Sequence, residues 1–340
     1  MSPTVQQIDT TVAPEATLAA LHDLYLQIDR EVYPGDHDLP WEQRLVDWRN
    51  IAEQHVVPRW FIEESGVIVA TAGCFHHKDR DLENTYAWAY VLPHHRGRGL
   101  FRQLAGAVLD FVEADGRIRI ATSLRAGGGL EPLAKRAGLK PAYNERISQL
   151  AIDEVDMSLM DSWIEKAAER AEGYDLMFLP SPIPEEHIDR YVDVMEVMNT
   201  APLEDFDEEP TSWTPEMWRD VERAEIAKDK VFYTLVARHL ESDKFVGYTQ
   251  IVYQQLHRVK AHQWDTGVDP AHRNKGLGRW LKATMLRRLL QDHPEIEVIE
   301  TENAESNDPM LNINIAMGFK PAHEMVIWQG PTAKVREALL

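Results

Sequence analysis

The sequence predicts an α/β (α+β) protein with two similar domains in tandem, each a mostly antiparallel mixed sheet flanked by helices. Apolar residues recur at period two in some stretches and every three or four residues in others, so strands and helices both occur. Two glycine-rich turns each follow a strand that ends in proline, at Pro93 and at Pro270. The same order of elements surrounds both turns, which is typical of an internal duplication.

The duplication is visible as identical residues at a nearly constant spacing. Three pairs are separated by 177 residues, namely Pro93 and Pro270, Arg96 and Arg273, and Gly99 and Gly276. Further along, Gly138-Leu-Lys-Pro-Ala142 corresponds to Gly318-Phe-Lys-Pro-Ala322 at a spacing of 180. An insertion of three residues in the second copy reconciles the two spacings. We therefore interpret the chain as two copies of one unit.

In the first copy, helical spacing of apolar residues predicts helices at 14–33 and 41–52. Alternating apolar residues predict a hairpin of strands 60–62 and 67–70, and a strand at 86–93. A helix with an apolar stripe then begins near Leu100. The remaining predicted elements are a strand at 117–122, a helix at 130–137 and a strand at 147–152.

The second copy repeats this order. Its predicted helices lie at 184–199, from 215 onward, from 277 onward and at 310–317. The second of these has Thr214 as its N-cap and Pro215 at its first position. Its predicted strands are at 174–180, 231–238, 245–253, 261–268, 295–301 and 320–328. We therefore divide the chain into a first domain at 1–155, a linker helix at 156–173 and a second domain at 174–340.

Composition excludes several classes of protein. Acidic residues outnumber basic ones by 56 to 36, and the formal charge of −20 argues against nucleic acid or an anionic membrane as partner. No stretch approaches the roughly 20 apolar residues of a membrane span, and no basic segment followed by an apolar one marks a secretory signal. The single cysteine, Cys74, suits a reducing compartment. We therefore expect a cytoplasmic protein.

Metal and hydrolase chemistry is not expected. His76-His77 and His94-His95 are adjacent pairs, and neighbouring residues on a strand point to opposite faces, which makes them poor chelators. No H-E-x-x-H, G-x-S-x-G or C-x-x-C pattern occurs in the sequence.

The turn of the second copy has the form of an anion-binding site. Arg273-Asn-Lys-Gly-Leu-Gly278 fits the pattern R-x-x-G-x-G/A and lies between a predicted strand and a predicted helix. Glycine permits close approach of backbone N–H groups to a ligand. The first amides of a helix lack intrahelical acceptors and lie at the positive end of its dipole. The turn Arg273–Gly278 therefore suits a pyrophosphate, and we call it the cradle of the second copy.

Val268-Asp-Pro270 followed by Arg273–Gly278 and a helix resembles the acyl-CoA-binding motif of the GNAT superfamily of acetyltransferases. The likeness covers nearly the whole chain, twice, and is to tandem members of the general type of mycothiol synthase and antibiotic acetyltransferases. It implies that acetyl-CoA is the co-substrate and that no metal takes part. The residues it implies for coenzyme A binding are Val268, Arg273, Asn274, Lys275, Gly276, Leu277, Gly278, Arg279, Asn303 and Asn307.

The resemblance also implies where the chemistry occurs. A backbone N–H of Val268 or its neighbours would polarise the thioester carbonyl, and a base on the same strand would deprotonate the amine. His262 and Asp265 are the candidate bases, alongside the alternative of ordered water acting on a substrate that titrates by itself.

The expected acid for the leaving thiolate departs from the family pattern. Asn307 and Gly318-Phe319 have the expected spacing, but Asn314 occupies the position of the usual tyrosine. An asparagine can hydrogen-bond sulfur but cannot act as an acid. Either the thiolate leaves unprotonated or another group, Tyr248 or Tyr253, replaces the tyrosine. Asn303 and Asn307 are expected either to bind pantetheine amides or to serve as turn and N-cap residues.

The second copy is therefore expected to be the catalytic one. The first keeps a cradle, Arg96-Gly-Arg-Gly-Leu-Phe101, but has Phe101 where a small residue is usual. We predict an N-acetyltransferase that transfers an acyl group from acetyl-CoA to the amine of a small molecule by direct attack, as a monomer or homodimer. The alternative is a non-catalytic coenzyme A-binding or regulatory protein.

An acidic run, Glu204–Glu209, follows the first helix of the second copy. Clustered carboxylates attract cations over a salt-dependent distance, so the run favours a cationic acceptor if it forms a wall of the acceptor cleft. The other interpretation is a solvated loop that contributes only to solubility.

Overall fold

The computed structural model describes residues 4–34 and 38–340. The strands are β1 (Val5–Ile8), β2 (His55–Val56), β3 (Arg59–Glu64), β4 (Val67–His77), β5 (Asn84–Val91), β6 (Arg119–Arg125), β7 (Lys140–Ala151), β8 (Tyr174–Leu179), β9 (Lys230–His239), β10 (Lys244–Gln254), β11 (Lys260–Val268), β12 (Val298–Ala304) and β13 (Lys320–Pro331). The α-helices are α1 (Glu15–Val32), α2 (Trp41–Arg49), α3 (Leu100–Ala114), α4 (Glu131–Arg136), α5 (Met157–Arg170), α6 (Glu185–Met195), α7 (Pro215–Ala227), α8 (Leu277–Asp292), α9 (Asp308–Met317) and α10 (Thr332–Leu339).

Nearly all the predicted elements are present. The predicted α/β class with two copies of a mixed sheet is confirmed, and Thr214 caps α7 as expected by accepting a hydrogen bond from the Met217 N–H. The sequence did not reveal β1, β2 or α10. β1 and β2 have four and two residues, which is too short for a periodic pattern to stand out.

The chain folds into two compact units. The first comprises Met1–Asn144, Glu204–Glu209 and Met325–Leu340, and the second comprises Glu145–Leu203 and Pro210–Glu324. In the first unit the strand order is β1-β3-β4-β5-β6-β13, with β2 beside β4. In the second unit it is β8-β9-β10-β11-β12-β7. In both, one parallel pair interrupts antiparallel neighbours: β5 with β6, and β11 with β12.

The two copies exchange their closing strands. β7, from the first copy, pairs antiparallel with β12 of the second unit, from Glu145 opposite Ala304 to Ala151 opposite Val298. β13, from the second copy, pairs antiparallel with β6 of the first unit, from Met325 opposite Arg125 to Pro331 opposite Arg119. The compact units therefore differ from the linear division at 1–155, 156–173 and 174–340. The sequence pattern of a strand fixes which face it buries but not which sheet edge it joins.

The segment predicted as a linker helix is part of the core of the second unit. α5 buries Met160 and Trp163 in the same apolar cluster as Leu281 and Met285 of α8. Asp156 caps α5 by accepting hydrogen bonds from the N–H groups of Ser158 and Leu159. Removal of α5 would therefore expose apolar surface of α8.

Two helical layers enclose the second sheet, because residues of each strand alternate between its faces. On β9, Leu235 and Ala237 lie in the cluster with α5 and α8. Phe232 and Val236 lie in a separate cluster with α6 and α7. We call these the α8 face and the α6 face. Within the described ranges, no helix combines the length and apolar character needed to cross a membrane.

Candidate active site

The sheet of the second unit opens between its two parallel strands. β11 and β12 pair only from Lys260 opposite Val298 to Gln263 opposite Thr301. Beyond Gln263, β11 continues beside β10 alone, with Val268 opposite Gly247. The backbone of β11 from Trp264 to Val268 therefore lines an opening in the sheet.

The register identifies the backbone groups that face this opening. The Asp269 N–H donates to the Val246 carbonyl, 2.8 Å away. Alternate residues of an antiparallel pair direct their N–H and C=O groups to the partner or away from it. Val268 and Thr266 therefore direct theirs into the opening, and the Val268 carbonyl is held there by the Arg273 Nε at 2.9 Å. Of the neighbours that the sequence left open, Val268 is thus placed to donate its N–H to a ligand.

A β-bulge in β11 changes the direction of the side chains just before Val268. Thr249 of β10 lies opposite Thr266, whereas Ile251 lies opposite Gln263, so β11 has one extra residue at Trp264 and Asp265. Trp264 contacts Phe232, and Asp265 contacts Tyr248. Both partners belong to the α6 face, so the bulge places Trp264 and Asp265 side by side on that face.

The cradle has the backbone geometry expected of an anion site. Asn274 and Gly276 have φ angles of 66° and 83°, and the turn leads directly into α8. The first intrahelical bond runs from the Trp280 N–H to the Gly276 carbonyl, so the N–H groups of Leu277, Gly278 and Arg279 precede it.

The cations of this cradle are held by neutral partners. Arg273 donates to the Thr200 hydroxyl at 2.7 Å, and Lys275 donates to the Tyr174 hydroxyl at 2.7 Å. The Tyr174 hydroxyl in turn lies 2.8 Å from Nδ1 of His272, whose pKa burial lowers, so the neutral ring accepts this bond. No ion pair among the described residues neutralises Arg273 or Lys275. Two full positive charges thus remain beside the helix N-terminus.

Three further residues predicted to bind coenzyme A have structural contacts. The Arg279 guanidinium stacks 5.3 Å from the ring of Trp163, so its backbone N–H rather than its side chain faces the cradle. Asn307 caps α9 by accepting from the Met310 N–H. Asn303 accepts a 2.6 Å hydrogen bond from the Asn314 side chain.

Asn314, at the tyrosine position, is a buried residue with an unsatisfied atom. It is 2% exposed, and its Oδ1 has no hydrogen-bond partner within the described part of the chain. An unpaired buried carbonyl oxygen is costly. No hydroxyl replaces the missing tyrosine at this position.

Asp265 is the better placed of the two candidate bases. Its Oδ2 accepts a 2.7 Å hydrogen bond from the hydroxyl of fully buried Tyr248. Burial raises the pKa of Asp265, and the hydrogen bond from Tyr248 partly opposes this rise. A carboxylate with a raised pKa at the edge of the opening is suited to accept a proton.

His262 lies below the opening, in the paired part of β11. Its Nδ1 is 3.7 Å from Oε1 of Glu300, directly across the parallel pair. Glu300 also accepts from Lys260 at 2.9 Å and from Gln149 at 2.8 Å. Burial tends to raise the pKa of Glu300, but these donors hold it below its usual value. His262 therefore belongs to an ion-pair network beneath the opening, on the same face as Asp265.

Sequence reasoning missed two carboxylates beyond this network. Glu302 follows Glu300 on the same face of β12, and lost hydration and the charge of Glu300 raise its pKa. Glu145 lies on β7 opposite Ala304, which is two residues after Glu302 on β12. Burial and the charge of Glu302 raise the pKa of Glu145 to about 7. Glu145 joins this site only through the strand exchange, which the sequence pattern could not indicate.

Of the two tyrosines suggested as replacement acids, one lies near the site and one does not. Tyr248 pairs in register with Gly267 and contacts Asp265. Tyr253 pairs with Ala261 at the far end of β11, and its hydroxyl bonds to His293 at 2.9 Å. The suggestion of Tyr253 is therefore wrong, because register places it about 20 Å of strand away from Val268.

The acidic run packs in the first unit, although it belongs to the second copy in the sequence. Glu204–Glu209 belongs to the first unit, not to the second. Phe206 is buried against Tyr86, and Asp207 pairs with Arg119. Burial of Phe206 anchors the loop there, so the run is not part of the compact unit whose acceptor cleft it was expected to wall.

The first unit has the same opening with different electrostatics. β5 and β6 pair only from Asn84 opposite Arg119 to Tyr86 opposite Ala121. The cradle arginines are neutralised, Arg96 by both carboxylate oxygens of Glu31 and Arg98 by both of Glu64, each at 2.8 Å. In the described ranges, no group of three or more His, Cys, Asp or Glu residues is arranged to hold a metal ion.

An opened parallel pair, a β-bulge and a positively charged turn before a helix are the features expected of a coenzyme A-dependent acyltransferase. The sequence matches the acetyltransferase (GNAT) family over residues 18–127 and 198–319, more than half of the chain. The chain therefore belongs to the GNAT family, with one matching region in each copy.

Solved structures show the same tandem fold. The chain is similar to a tandem GNAT protein from the clavulanic acid biosynthesis pathway, with a TM-score of 0.77 and 20% identity over 96% of this chain and 98% of that one. It is also similar to a GCN5-related N-acetyltransferase from Sphaerobacter thermophilus, with a TM-score of 0.69 and 17% identity over 96% of each chain. No curated protein matches the sequence significantly.

Proposed function

We propose that the second unit transfers an acetyl group from acetyl-CoA to the amine of a small molecule by direct attack. The observation that carries this proposal is that the Val268 N–H is directed into the opening of the sheet. The positively charged cradle follows Val268 in the chain, and Asp265 lies on the α6 face beside the opening.

The cradle would hold the pyrophosphate of the donor. Helix N-terminal amides and a nearby arginine and lysine together favour phosphate groups. The pantetheine arm would then lie along the unpaired edge of β11, where Val268 could donate its N–H to the thioester oxygen. That hydrogen bond strengthens as negative charge develops on the oxygen.

Asp265 would accept the proton of the attacking amine. The amine nitrogen forms a bond to the carbonyl carbon, the carbon–sulfur bond breaks, and coenzyme A leaves as the thiolate. A free cysteine thiol has a pKa of about 8.5, so a thiolate is a stable leaving group near neutral pH. Coenzyme A can therefore leave without an acid at the position of Asn314. Tyr248 is a positioning residue here, because it holds Asp265 through its hydroxyl.

The acceptor would be cationic. Glu302, Glu145 and Asp265 lie on the α6 face of the sheet, and burial raises the pKa of all three carboxyl groups. The ammonium group of a ligand bound beside them would lower these pKa values, because a nearby positive charge favours the ionised carboxylate. The proposal of a cationic acceptor therefore rests on these three carboxylates and not on the acidic run Glu204–Glu209, which belongs to the first unit.

Asn314 favours a second candidate, a coenzyme A-binding protein without turnover, because it lacks the acid common in the family. The test is thiol release from acetyl-CoA in the presence of monoamines and diamines. Enzymatic release that falls about 10²–10⁴-fold in Asp265→Asn, at unchanged acetyl-CoA affinity, supports transfer. Tight binding of acetyl-CoA with release at the protein-free rate for every amine supports the second candidate.

A further inference from the structure

The first unit contains a large apolar cavity that the proposed reaction does not use. Its volume is about 610 Å³, within the range of small-molecule sites. It extends from the opening of the sheet into the space between α3, α4 and α10, and its lining includes Val91, Ala105, Leu109, Ala134, Leu139 and Val335. A cavity lined mainly by apolar side chains favours apolar ligands.

Small residues keep this cavity open. By the repeat spacings, Ala105 corresponds to Lys282 of the second copy, and Ala134 corresponds to Asn314. In the second unit Lys282 is 1% exposed, with its Nζ 5.4 Å from the ring centre of Phe319. A lysine and an asparagine side chain thus occupy positions where the first unit has two methyl groups.

The polar end of the same cleft is poorly suited to a diphosphate. Glu31 and Glu64 neutralise Arg96 and Arg98, as described above. Phe101 occupies the position of Gly278 and lines the cavity, which places a bulky ring at the first turn of α3, where a pyrophosphate would approach the backbone.

We propose that the first unit binds the alkyl chain of a fatty carboxylate in this cavity, in place of coenzyme A. The chain lies among the apolar side chains between α3, α4 and α10. Arg125 ends β6 at the rim, and its guanidinium donates to the Val32 carbonyl at 2.8 Å. This leaves N–H donors for a carboxylate head group, because arginine has five.

The chemistry predicts a dependence on chain length. Burial of each methylene contributes about 0.8 kcal/mol, so the dissociation constant should fall about fourfold for each added CH₂ until the cavity is full. Calorimetric titration of the full chain with octanoate, decanoate and laurate measures this dependence. Absence of laurate binding, or affinity that does not change with chain length, overturns the proposal.

Variants in the two units test whether laurate binds in the cavity of the first unit. Ala105→Leu and Ala134→Leu each fill the cavity, so both should weaken laurate binding at least tenfold while the thermal midpoint stays equal or rises. Arg273→Ala, in the cradle of the second unit, should weaken coenzyme A binding and leave laurate binding unchanged. If both filling variants bind laurate normally, or if they weaken coenzyme A binding instead, the first cleft is not a fatty carboxylate site.

Discussion

At the scale of single residues, Asp265 acts as part of a pair with Tyr248. Burial favours the protonated carboxyl group, and the Tyr248 hydroxyl favours the carboxylate. The balance between these two effects sets the pH below which Asp265 can no longer accept a proton from an amine.

Tyr248→Phe should therefore move the acid limb of the kcat/KM profile to higher pH. Removal of the hydroxyl takes away the bond that lowers the pKa of Asp265, while its burial remains. Activity that needs the carboxylate is present above this pKa and is lost as the pH falls through it. The matched control is Tyr233→Phe, which removes a hydroxyl bonded to Asp292 outside the site. An acid limb at the same pH in Tyr248→Phe would show that Asp265 is not the base.

Lys282 provides a second residue-scale prediction. It is fully buried on α8, and burial lowers its pKa from 10.5 to about 7. Between pH 7 and about 10.5 the unfolded chain therefore binds one more proton than the folded chain, so the stability of the wild type rises with pH.

Lys282→Met should raise the thermal midpoint at pH 7, by roughly 2–4 °C for each kcal/mol gained. The gain should shrink as the pH rises from 7 towards 10.5, because the free-energy cost of removing the lysine proton on folding falls steadily over this range. Thermal scans from pH 7 to 10 measure this, with Lys166→Met on the exposed side of α5 as control. A gain independent of pH would show that packing, not charge, sets the cost of Lys282.

The sequence predicted those residues whose roles depend on the backbone of one turn. Arg273, Lys275 and Gly276 could be placed in the turn before α8 because the motif is contiguous and its helix follows directly. Tyr248 and Glu145 could not be placed, because their roles depend on a strand register and on a strand exchange. Asp265 was a candidate by its position in the sequence. Its contact with Tyr248 and its burial could not be predicted, because both depend on the β-bulge.

At the scale of elements, the cradle is a local structure that occurs twice. Gly99 and Gly276 precede α3 and α8 with φ angles of 79° and 83°. At either glycine, an added Cβ would find no atom within 4 Å. The two positions therefore carry the same backbone strain in different electrostatic surroundings.

Gly276→Ala and Gly99→Ala should destabilise the protein equally, by about 1–2 kcal/mol, since an L-residue resists this region of φ. Only Gly276→Ala should weaken coenzyme A binding, by roughly tenfold or more, because shifted turn amides lose a hydrogen bond to a charged group. Denaturant unfolding and calorimetry measure the two effects separately. Equal loss of coenzyme A affinity in both variants would mean that the first cradle also binds the cofactor.

At the scale of the whole molecule, the two copies are not the two units. The alternation of apolar residues correctly predicted strands near β7 and β13, and the repeat correctly predicted that one mixed arrangement of strands occurs twice. Assignment of each closing strand to its own copy was the simplest reading of a duplication, but β7 completes the sheet of the second unit and β13 that of the first. Exchange of identical elements between repeats leaves the sequence pattern unchanged.

The exchange predicts that neither half of the chain folds alone. A fragment of residues 1–172 lacks β13, α10 and the loop Glu204–Glu209, so the β6 edge and the apolar side of α3 are left uncovered. A fragment of residues 173–340 lacks β7 and α5, which exposes the β12 edge and the apolar stripe of α8. Each should be insoluble or should unfold without a cooperative transition, because an open edge and bare apolar surface promote aggregation.

Co-expression of the two fragments should restore both units. A complex that co-purifies through a tag on either fragment and unfolds cooperatively is the expected result, with the uncut chain as reference. The complex should also recover the acyltransferase activity of the uncut chain, because β7 brings Glu145 into the second unit. If residues 1–172 alone unfold cooperatively at the midpoint of the uncut chain, the closing strands are not needed where the structure places them.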